Sequence, residues 1–251
     1  MELALLKACH NTITRILTLP ESHPLNKIVT TAKQELPTKF LSPIDDLIKK
    51  FELTNTNIET IYPKASLKGM TIKFTTTIDQ TRKESIKSTQ NDDADYKIYL
   101  HGPGQENGIG SAAILYKKGN PCGIKPLQAY IGTPDKHNTY EAEILGAILT
   151  TWTLQNTPET IGKIVSLYTD NQSIIAAIMS NRTKTGQYLI NNLTTAANSL
   201  KSNLNIKWIS GHSKVKGNKE VDKLAKRAAA GQSSTMINLP HLLRNPLPLS
   251  T

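Results

Sequence analysis

Between residues 96 and 251 there are eight carboxylates, and five of them fall in three short segments: Glu141 and Glu143, Asp170, and Glu220 and Asp222. Carboxylates held a few ångströms apart cannot all stay ionised unless cations sit among them. Oxygen donors at that density suit Mg2+ or Mn2+. Two such ions could activate a water and stabilise the leaving oxygen of a phosphodiester. The same part of the chain carries 17 Lys and Arg, a net charge of +9, whereas residues 1–95 carry 13 basic and 12 acidic residues. A basic body whose acids gather at a few points attracts polyanions and also holds cations. A solvated basic surface would account for the charge equally well, so composition alone leaves both readings open.

The elements that must position these acids follow from periodicity. Residues 97–100, 111–116 and 127–131 read as three strands of a meander, with turns at His101-Gly102-Pro103-Gly104 and Lys117-Lys118-Gly119-Asn120. Residues 138–155 read as a helix whose apolar face is Ile144, Leu145, Ile148, Leu149 and Trp152. An apolar, β-branched strand over 164–169 runs straight into Asp170. Helices over 171–181 and 186–202, a strand over 206–209 and a last helix over 218–230 complete the order β-β-β-α-β-α-α-β-α. Alternation of this kind predicts an α/β fold, a mixed five-stranded sheet flanked by helices with right-handed crossovers. The first strand is then central, and the strand ending at Thr169 lies parallel beside it. Ligands of open α/β sheets sit at such carboxyl ends. The residues just past those ends are His101 and Asp170; the helix over 138–155 can add Glu143, and the last helix Asp222.

Upstream, residues 1–77 read as a small, mainly helical region broken by Pro20, Pro24, Pro37 and Pro43. Ser42 before Pro43 has the form of an N-cap with proline at the first helical position. Ile44, Leu47, Ile48 and Phe51 would be the buried stripe of that helix. Residues 70–78 alternate loosely as a strand, residues 78–95 read as a polar linker, and residues 232–251 as a loose tail. At 251 residues with 38% hydrophobic content, the chain can bury a real core. Cys9 and Cys122 match no metal or redox spacing and read as free thiols. No apolar run approaches the roughly 20 residues of a bilayer span. No membrane partner or small-molecule cofactor is expected, and the chain reads as intracellular, nuclear or cytoplasmic, and not secreted. The oligomeric state is not legible.

Four strings carry a family resemblance: Thr139-Tyr140-Glu141-Ala142-Glu143-Ile144-Leu145, Tyr168-Thr169-Asp170-Asn171-Gln172, Trp208-Ile209-Ser210-Gly211-His212-Ser213, and Gly217-Asn218-Lys219-Glu220-Val221-Asp222-Lys223-Leu224-Ala225-Lys226. In order and rough spacing they resemble the ribonuclease H family over about residues 96–231. The particular likeness is to the ribonuclease H domain of fungal non-LTR retrotransposons. The stretch from Arg15-Ile16-Leu17-Thr18-Leu19-Pro20 to Glu21-Ser22-His23-Pro24-Leu25 is similar to the segment preceding that domain in their polyproteins. The resemblance implies binding of RNA/DNA hybrid and two-metal hydrolysis of its RNA strand with Mg2+ or Mn2+. By position, Glu143 would be the helix-borne metal ligand, Asp170 the ligand bridging both ions, and Asp222 the carboxylate holding the second ion. His212 would assist proton transfer or product release. Gly102, Gln172, Lys214 and Lys216 would contact nucleic acid, and Thr139 stands where the family often has Asn. The first motif departs from the pattern. His101 stands in place of the first metal-binding Asp, and Pro103 in place of a Ser. A neutral imidazole removes a negative charge and presents nitrogen to Mg2+, although it could bind Mn2+ or Zn2+.

Plainer roles compete at each position. Asp170 could cap the following helix. Glu141, two residues from Glu143, should point elsewhere and be solvated. His212 could be a surface histidine, and Lys214, Lys216, Lys219, Lys223, Lys226 and Arg227 an ordinary basic helix face. Trp152 and Trp208 read as core aromatics, and His10, His23, His137 and His241 form no ligand spacing.

Overall fold

The computed structural model describes residues 2–34, 42–53, 57–61, 73–105, 108–179, 185–211 and 215–249. The chain divides into two compact units, one of residues 1–68, 182–188 and 247–251 and the other of residues 69–181 and 189–246. Among the described residues no helix is long and apolar enough to cross a membrane.

The first unit is helical, with α1 (Glu2–Leu17), α2 (Asn26–Gln34) and α3 (Pro43–Lys50). Ser42 caps α3 as its sequence predicts. Its hydroxyl accepts from the Asp45 N–H, and the Asp45 carboxylate accepts from the Ser42 N–H. The helix stripe packs as expected: Ile13, Ala32, Ile48 and Leu53 form a buried cluster, with Leu17, Ile44, Leu47 and Phe51 against it.

The second unit holds β1 (Thr75–Thr77), α4 (Arg82–Gln90), β2 (Tyr96–His101), β3 (Gly104–Gln105), β4 (Gly108–Lys117) and β5 (Ile124–Gly132). After these come α5 (Thr139–Gln155), β6 (Ile164–Thr169), α6 (Gln172–Met179), α7 (Gln187–Ser199), β7 (Asn203–Trp208) and α8 (Lys216–Ala229). The sheet is mixed, in the order β1-β7-β6-β2-β4-β3 with β5 also on β4. Strands β2, β4 and β5 form the antiparallel meander, and β2, β6, β7 and β1 run parallel. The five expected strands are present; the strand expected over 70–78 is the shorter β1, residues 70–72 lying outside the described residues, and β3 is an addition. β1 lines up beside β7 with Thr75 opposite Asn205, and β3 closes a hairpin with the start of β4.

Strand alternation sends successive side chains to opposite faces. Tyr99 and Ala112 pack with Val221 and Ala225 of α8, whereas Leu100 and Ser111 lie under Gly146 of α5. The two helices therefore sandwich β2 and β4. Close approach of α8 depends on small residues: a Cβ on Gly110 would fall 2.2 Å from the Ala229 nitrogen. α5 is buried over most of its circumference rather than on one stripe, as expected of a helix with apolar residues all round. Its buried hydroxyls are satisfied internally, Thr150 donating to Gly146 O and Thr153 to Leu149 O.

Two polar stretches are more ordered than their composition suggests. Residues 78–95, read as a linker, contain α4, started by a capping box between Thr81 and Glu84. This helix buries hydroxyl residues instead of aliphatic ones. Ser85 is wholly buried and its oxygen accepts from the Ser210 N–H. After α8, read as the beginning of a loose tail, Ser234 donates its N–H to Gln128 O, and the Ser233 hydroxyl accepts from the Tyr130 N–H. That segment covers the free edge of β5, where backbone groups would otherwise lack partners. Leu239 beyond it is 3% exposed.

Candidate active site

Strands β2 and β6 are parallel neighbours with Tyr99 opposite Tyr168. Two residues further along each, His101 and Asp170 stand side by side at the carboxyl edge of the sheet. Glu143 enters from α5 and Asp222 from α8. The His101 ring lies at the centre of the group. Its Nδ1 is 3.0 Å from Glu143 Oε1 and 3.7 Å from Asp170 Oδ1, and its Nε2 is 3.4 Å from Asp222 Oδ1. The residue with the anomalous identity is therefore the one that touches all three expected carboxylates.

Each acid sits in a different environment. Glu143 is 4% exposed; its Oε1 accepts the Gly102 N–H at 2.7 Å, and its buried Oε2 has no hydrogen-bond partner. Burial raises the Glu143 carboxyl above the usual carboxylate range and Asp170 adds repulsion, both opposed by His101 and the Gly102 N–H. Asp222 is more open, and its second oxygen accepts from Lys226 at 2.8 Å, one turn along α8. Asp170 does not cap α6: Asn171 does so, its side chain accepting the Ser173 N–H. Asp170 is left to face the cluster. Burial works against a charge on His101, but hydrogen bonds and coulombic attraction from Asp170 and Glu143 outweigh it. The imidazole pKa is pushed up to about 10.

Gly102 has a steric role here. A Cβ at this position would fall 2.4 Å from the Glu143 nitrogen and 2.5 Å from the Ala142 carbonyl carbon. Only glycine lets the strand end slide under α5 and give its N–H to Glu143. Gly102 is accordingly buried. Gln172 and Lys216 are both exposed, on the first residues of α6 and α8. Lys216 donates to Pro121 O at 2.8 Å. His212 and Lys214 lie outside the described residues, as does Glu106. Asp95, the other acid near His101 in sequence, is used at the start of β6, where it accepts the Ile164 N–H.

The expectation of a solvated Glu141 is corrected. This side chain is wholly buried because it is the third residue of α5. One oxygen takes the Asn138 N–H, and the other lies 3.3 Å from Nδ1 of the buried His137. The S/T/N-x-x-E capping spacing of Asn138 and Glu141 is visible in the sequence. Two supporting residues were not anticipated in their roles. Trp208 is half-buried rather than a core residue, and its indole N–H donates to the Asp170 carbonyl at 3.2 Å. Only the β6–β7 register reveals this, because it sets Thr169 opposite Trp208. Lys226 could have been paired with Asp222 from their four-residue spacing on a helix.

A mixed sheet whose parallel neighbours end in His101 and Asp170, with carboxylates added by helices on both faces, defines an α/β domain with a cluster of ionisable side chains at one corner. The ribonuclease H family model matches residues 93–230, more than half of the chain, and the chain belongs to the RNase H family. Members of this family typically use divalent metal ions. Among solved structures, the chain is similar to the N-terminal RNase H domain of Rv2228c from Mycobacterium tuberculosis, solved as a fusion with maltose-binding protein. Identity is 15%, coverage is 55% of this chain and 95% of that one, and the TM-score is 0.46. LC11-RNase H1 in complex with RNA/DNA hybrid matches at 17% identity, 54% and 97% coverage and a TM-score of 0.45. RNase H1 from the archaeon Halobacterium salinarum NRC-1 matches at 16%, 53% and 96%, with a TM-score of 0.41. The search of curated proteins finds no match.

The side chains present do not fit a pair of Mg2+ ions. Three carboxylates face the corner, and two cationic side chains, His101 and Lys226, already contact them. The donor between β2 and β6 is nitrogen, whereas Mg2+ demands oxygen in near-octahedral array. Little uncompensated negative charge remains to hold two dications.

Proposed function

We propose that the domain over 93–230 binds RNA/DNA hybrid through its basic face, and that its hydrolysis of the RNA strand is impaired in Mg2+. The observation that carries this reading is the contact of one imidazole with Glu143, Asp170 and Asp222 at 3.0, 3.7 and 3.4 Å. In two-ion hydrolysis those oxygens would face cations. Here they face a histidine ring. Family membership supports the substrate class. So does α8, which exposes Lys216, Lys219, Lys223, Lys226 and Arg227 to solvent, a row suited to phosphate contacts. By family resemblance Gln172 and Lys214 would add contacts to nucleic acid, and His212 would carry the proton where hydrolysis does occur. The same His101 contact favours a second reading, a non-cleaving nucleic-acid-binding or protein-interaction module. Under either reading, the likeness of the motif strings to the ribonuclease H domain of fungal non-LTR retrotransposons supports a retroelement origin.

Anisotropy titrations with labelled hybrid, duplex DNA and duplex RNA at several salt concentrations test the binding half. The logarithm of the affinity for hybrid should fall linearly with log salt, with a slope set by the number of phosphates contacted. Cleavage in Mg2+ tests the other half, using the native chain, His101→Asp and Asp170→Asn. His101→Asp should cleave faster than the native chain by roughly a hundredfold, the scale of losing a transition-state charge partner. Native cleavage equal to that of His101→Asp, and abolished in Asp170→Asn, would sink the impairment. Binding that is indifferent to salt would sink the nucleic-acid assignment.

A further inference from the structure

We propose that a cavity at the amino end of β2, between that strand and the start of α8, binds a small organic phosphate monoester. The cavity has a volume of about 300 Å3. Lys97 lies in its wall, four residues before His101 on β2, or about 13 Å back along the strand at about 3.3 Å per residue. The cavity is therefore separate from the carboxyl-edge cluster, and the proposal does not depend on what that cluster does.

Strand register builds the site. Lys97 and Tyr99 share the face of β2 that α8 covers, and Tyr116 of β4 stands opposite Lys97. The start of α8 closes one side: a Cβ on Gly217 would fall 2.3 Å from the Tyr99 ring. Tyr116, Pro121 and Val215 give the cavity apolar walls.

Tyr99 supplies the observation that points to a ligand. It is 5% exposed, and its ring is held between Tyr168, stacked at 5.1 Å, and Tyr116, edge-on at 5.6 Å. The hydroxyls of both neighbours are in use, Tyr168 donating to Asp92 and Tyr116 to Glu220. The Tyr99 hydroxyl has no hydrogen-bond partner among the described residues, and Tyr99 lines the cavity. A buried tyrosine hydroxyl normally finds a partner. An acceptor bound in the cavity would supply it.

The surrounding charges make that acceptor an anion. Asp92, also in the wall, is already compensated. It accepts the Ala94 N–H at 3.1 Å and the Tyr168 hydroxyl, and it pairs with Lys207 at 3.2 Å. Of the four lysines around the cavity, Lys118 pairs with Asp93 at 2.6 Å and Lys216 with Glu220 at 3.7 Å. Lys97 and Lys117 form no ion pair among the described residues. Lys97 donates to Thr89 O at 3.1 Å, which leaves two of its three ammonium donors. Desolvation in the wall lowers its pKa, and a bound anion would offset that cost. Two unpaired cations match the double charge of a phosphate monoester, and the Tyr99 hydroxyl matches one of its oxygens. α8 begins without a side-chain cap, so its first N–H groups add to the same field. A bare phosphate would leave much of the volume empty, and the apolar walls favour one that carries an organic body.

The test is equilibrium dialysis of the full chain, in chelator, against labelled adenosine monophosphate, with inorganic phosphate and adenosine as competitors. The expected result is one nucleotide per chain with a dissociation constant below about 1 mM. Inorganic phosphate should displace it only at about tenfold higher concentration, and adenosine should not displace it. Tyr99→Phe removes the hydroxyl and keeps the ring packing, so it should weaken binding about tenfold at an unchanged melting temperature. Lys97→Gln should weaken it by a similar factor. Lys136→Gln removes the same charge from an exposed turn and should change affinity by less than about twofold. Oligonucleotides ending in a phosphate or in a hydroxyl then identify the source. A preference for the phosphorylated strand that is lost in Tyr99→Phe assigns the cavity to strand ends, and equal affinity assigns it to free monoesters. No saturable binding, displacement by adenosine, native affinity in Tyr99→Phe, or an equal loss in Lys136→Gln would overturn the proposal. The first two outcomes need no variant, so the test holds even if a substitution unfolds the protein.

Discussion

Replacing His101 with Gln keeps a side chain of similar reach that can still donate and accept, but removes the charge from the centre of the carboxylates. A histidine moved from its ordinary 6.5 to about 10 is coupled to its surroundings by roughly 4–5 kcal/mol at about 1.4 kcal/mol per pKa unit. Part of this is recovered when the buried Glu143, whose own carboxyl is raised, takes up a proton. A net loss of about 3 kcal/mol is expected, the low end of the cost of removing one partner of a buried pair. Because the folded pKa lies above the unfolded one, the stabilisation is full below pH 6.5, declines above it, and is gone near pH 10. Urea unfolding in EDTA, followed by tryptophan emission, reports this directly, since both tryptophans lie in the unit that holds the site. The gap between native and His101→Gln chains should be about 3 kcal/mol at pH 6, roughly half that at pH 8, and close to nothing at pH 10. A gap under about 1 kcal/mol at pH 6, or one that stays constant with pH, would refute the reasoning.

Two further substitutions test the scaffold around the site. Gly102→Ala drives a methyl group into the backbone of Ala142 and Glu143, which cannot yield as a side chain would. It should cost about 3 kcal/mol or more and lower the melting temperature; a variant as stable as the native chain would show that α5 is loosely held. Asp92 is half-buried, and although desolvation opposes its charge, Ser166, Tyr168 and Lys207 hold it ionised, so its pKa lies below the usual carboxylate value. Its contribution is present above pH 3.8 and lost as pH falls through the folded value. Asp92→Asn should therefore destabilise at neutral pH and flatten the acid limb of the stability profile, measured by thermal melts between pH 3 and pH 7. An unchanged acid limb would assign it to other groups.

Local patterning was enough for the parts of the fold whose signals lie close together along the chain. Strands β2 and β6, helix α5 and the Ser42 cap all follow from periodicity or from spacings of three and four residues. The polar helix α4 escaped, because it buries serine and threonine where a periodicity search looks for aliphatic side chains. Its Thr81–Glu84 capping box was nevertheless written in the sequence. Burial of Glu141 escaped for a related reason, its partners being a backbone N–H and a histidine with no ligand spacing.

By itself, then, the sequence determined the α/β class, the strands and helices that carry the acids, the basic surface, and the substitution of a histidine at the first ligand position. It could not determine what that histidine does. Glu143, Asp170 and Asp222 are separated from His101 by dozens of residues and reach it from three different elements, and only the pairing of β2 with β6 and the packing of α5 and α8 bring them together. Which ring nitrogen meets which oxygen, and which oxygen is left unpaired, depends on differences of less than an ångström in that packing. A one-dimensional pattern names the charges that can interact. Their mutual distances, on which coulombic and coordination energies depend, exist only once the chain has folded.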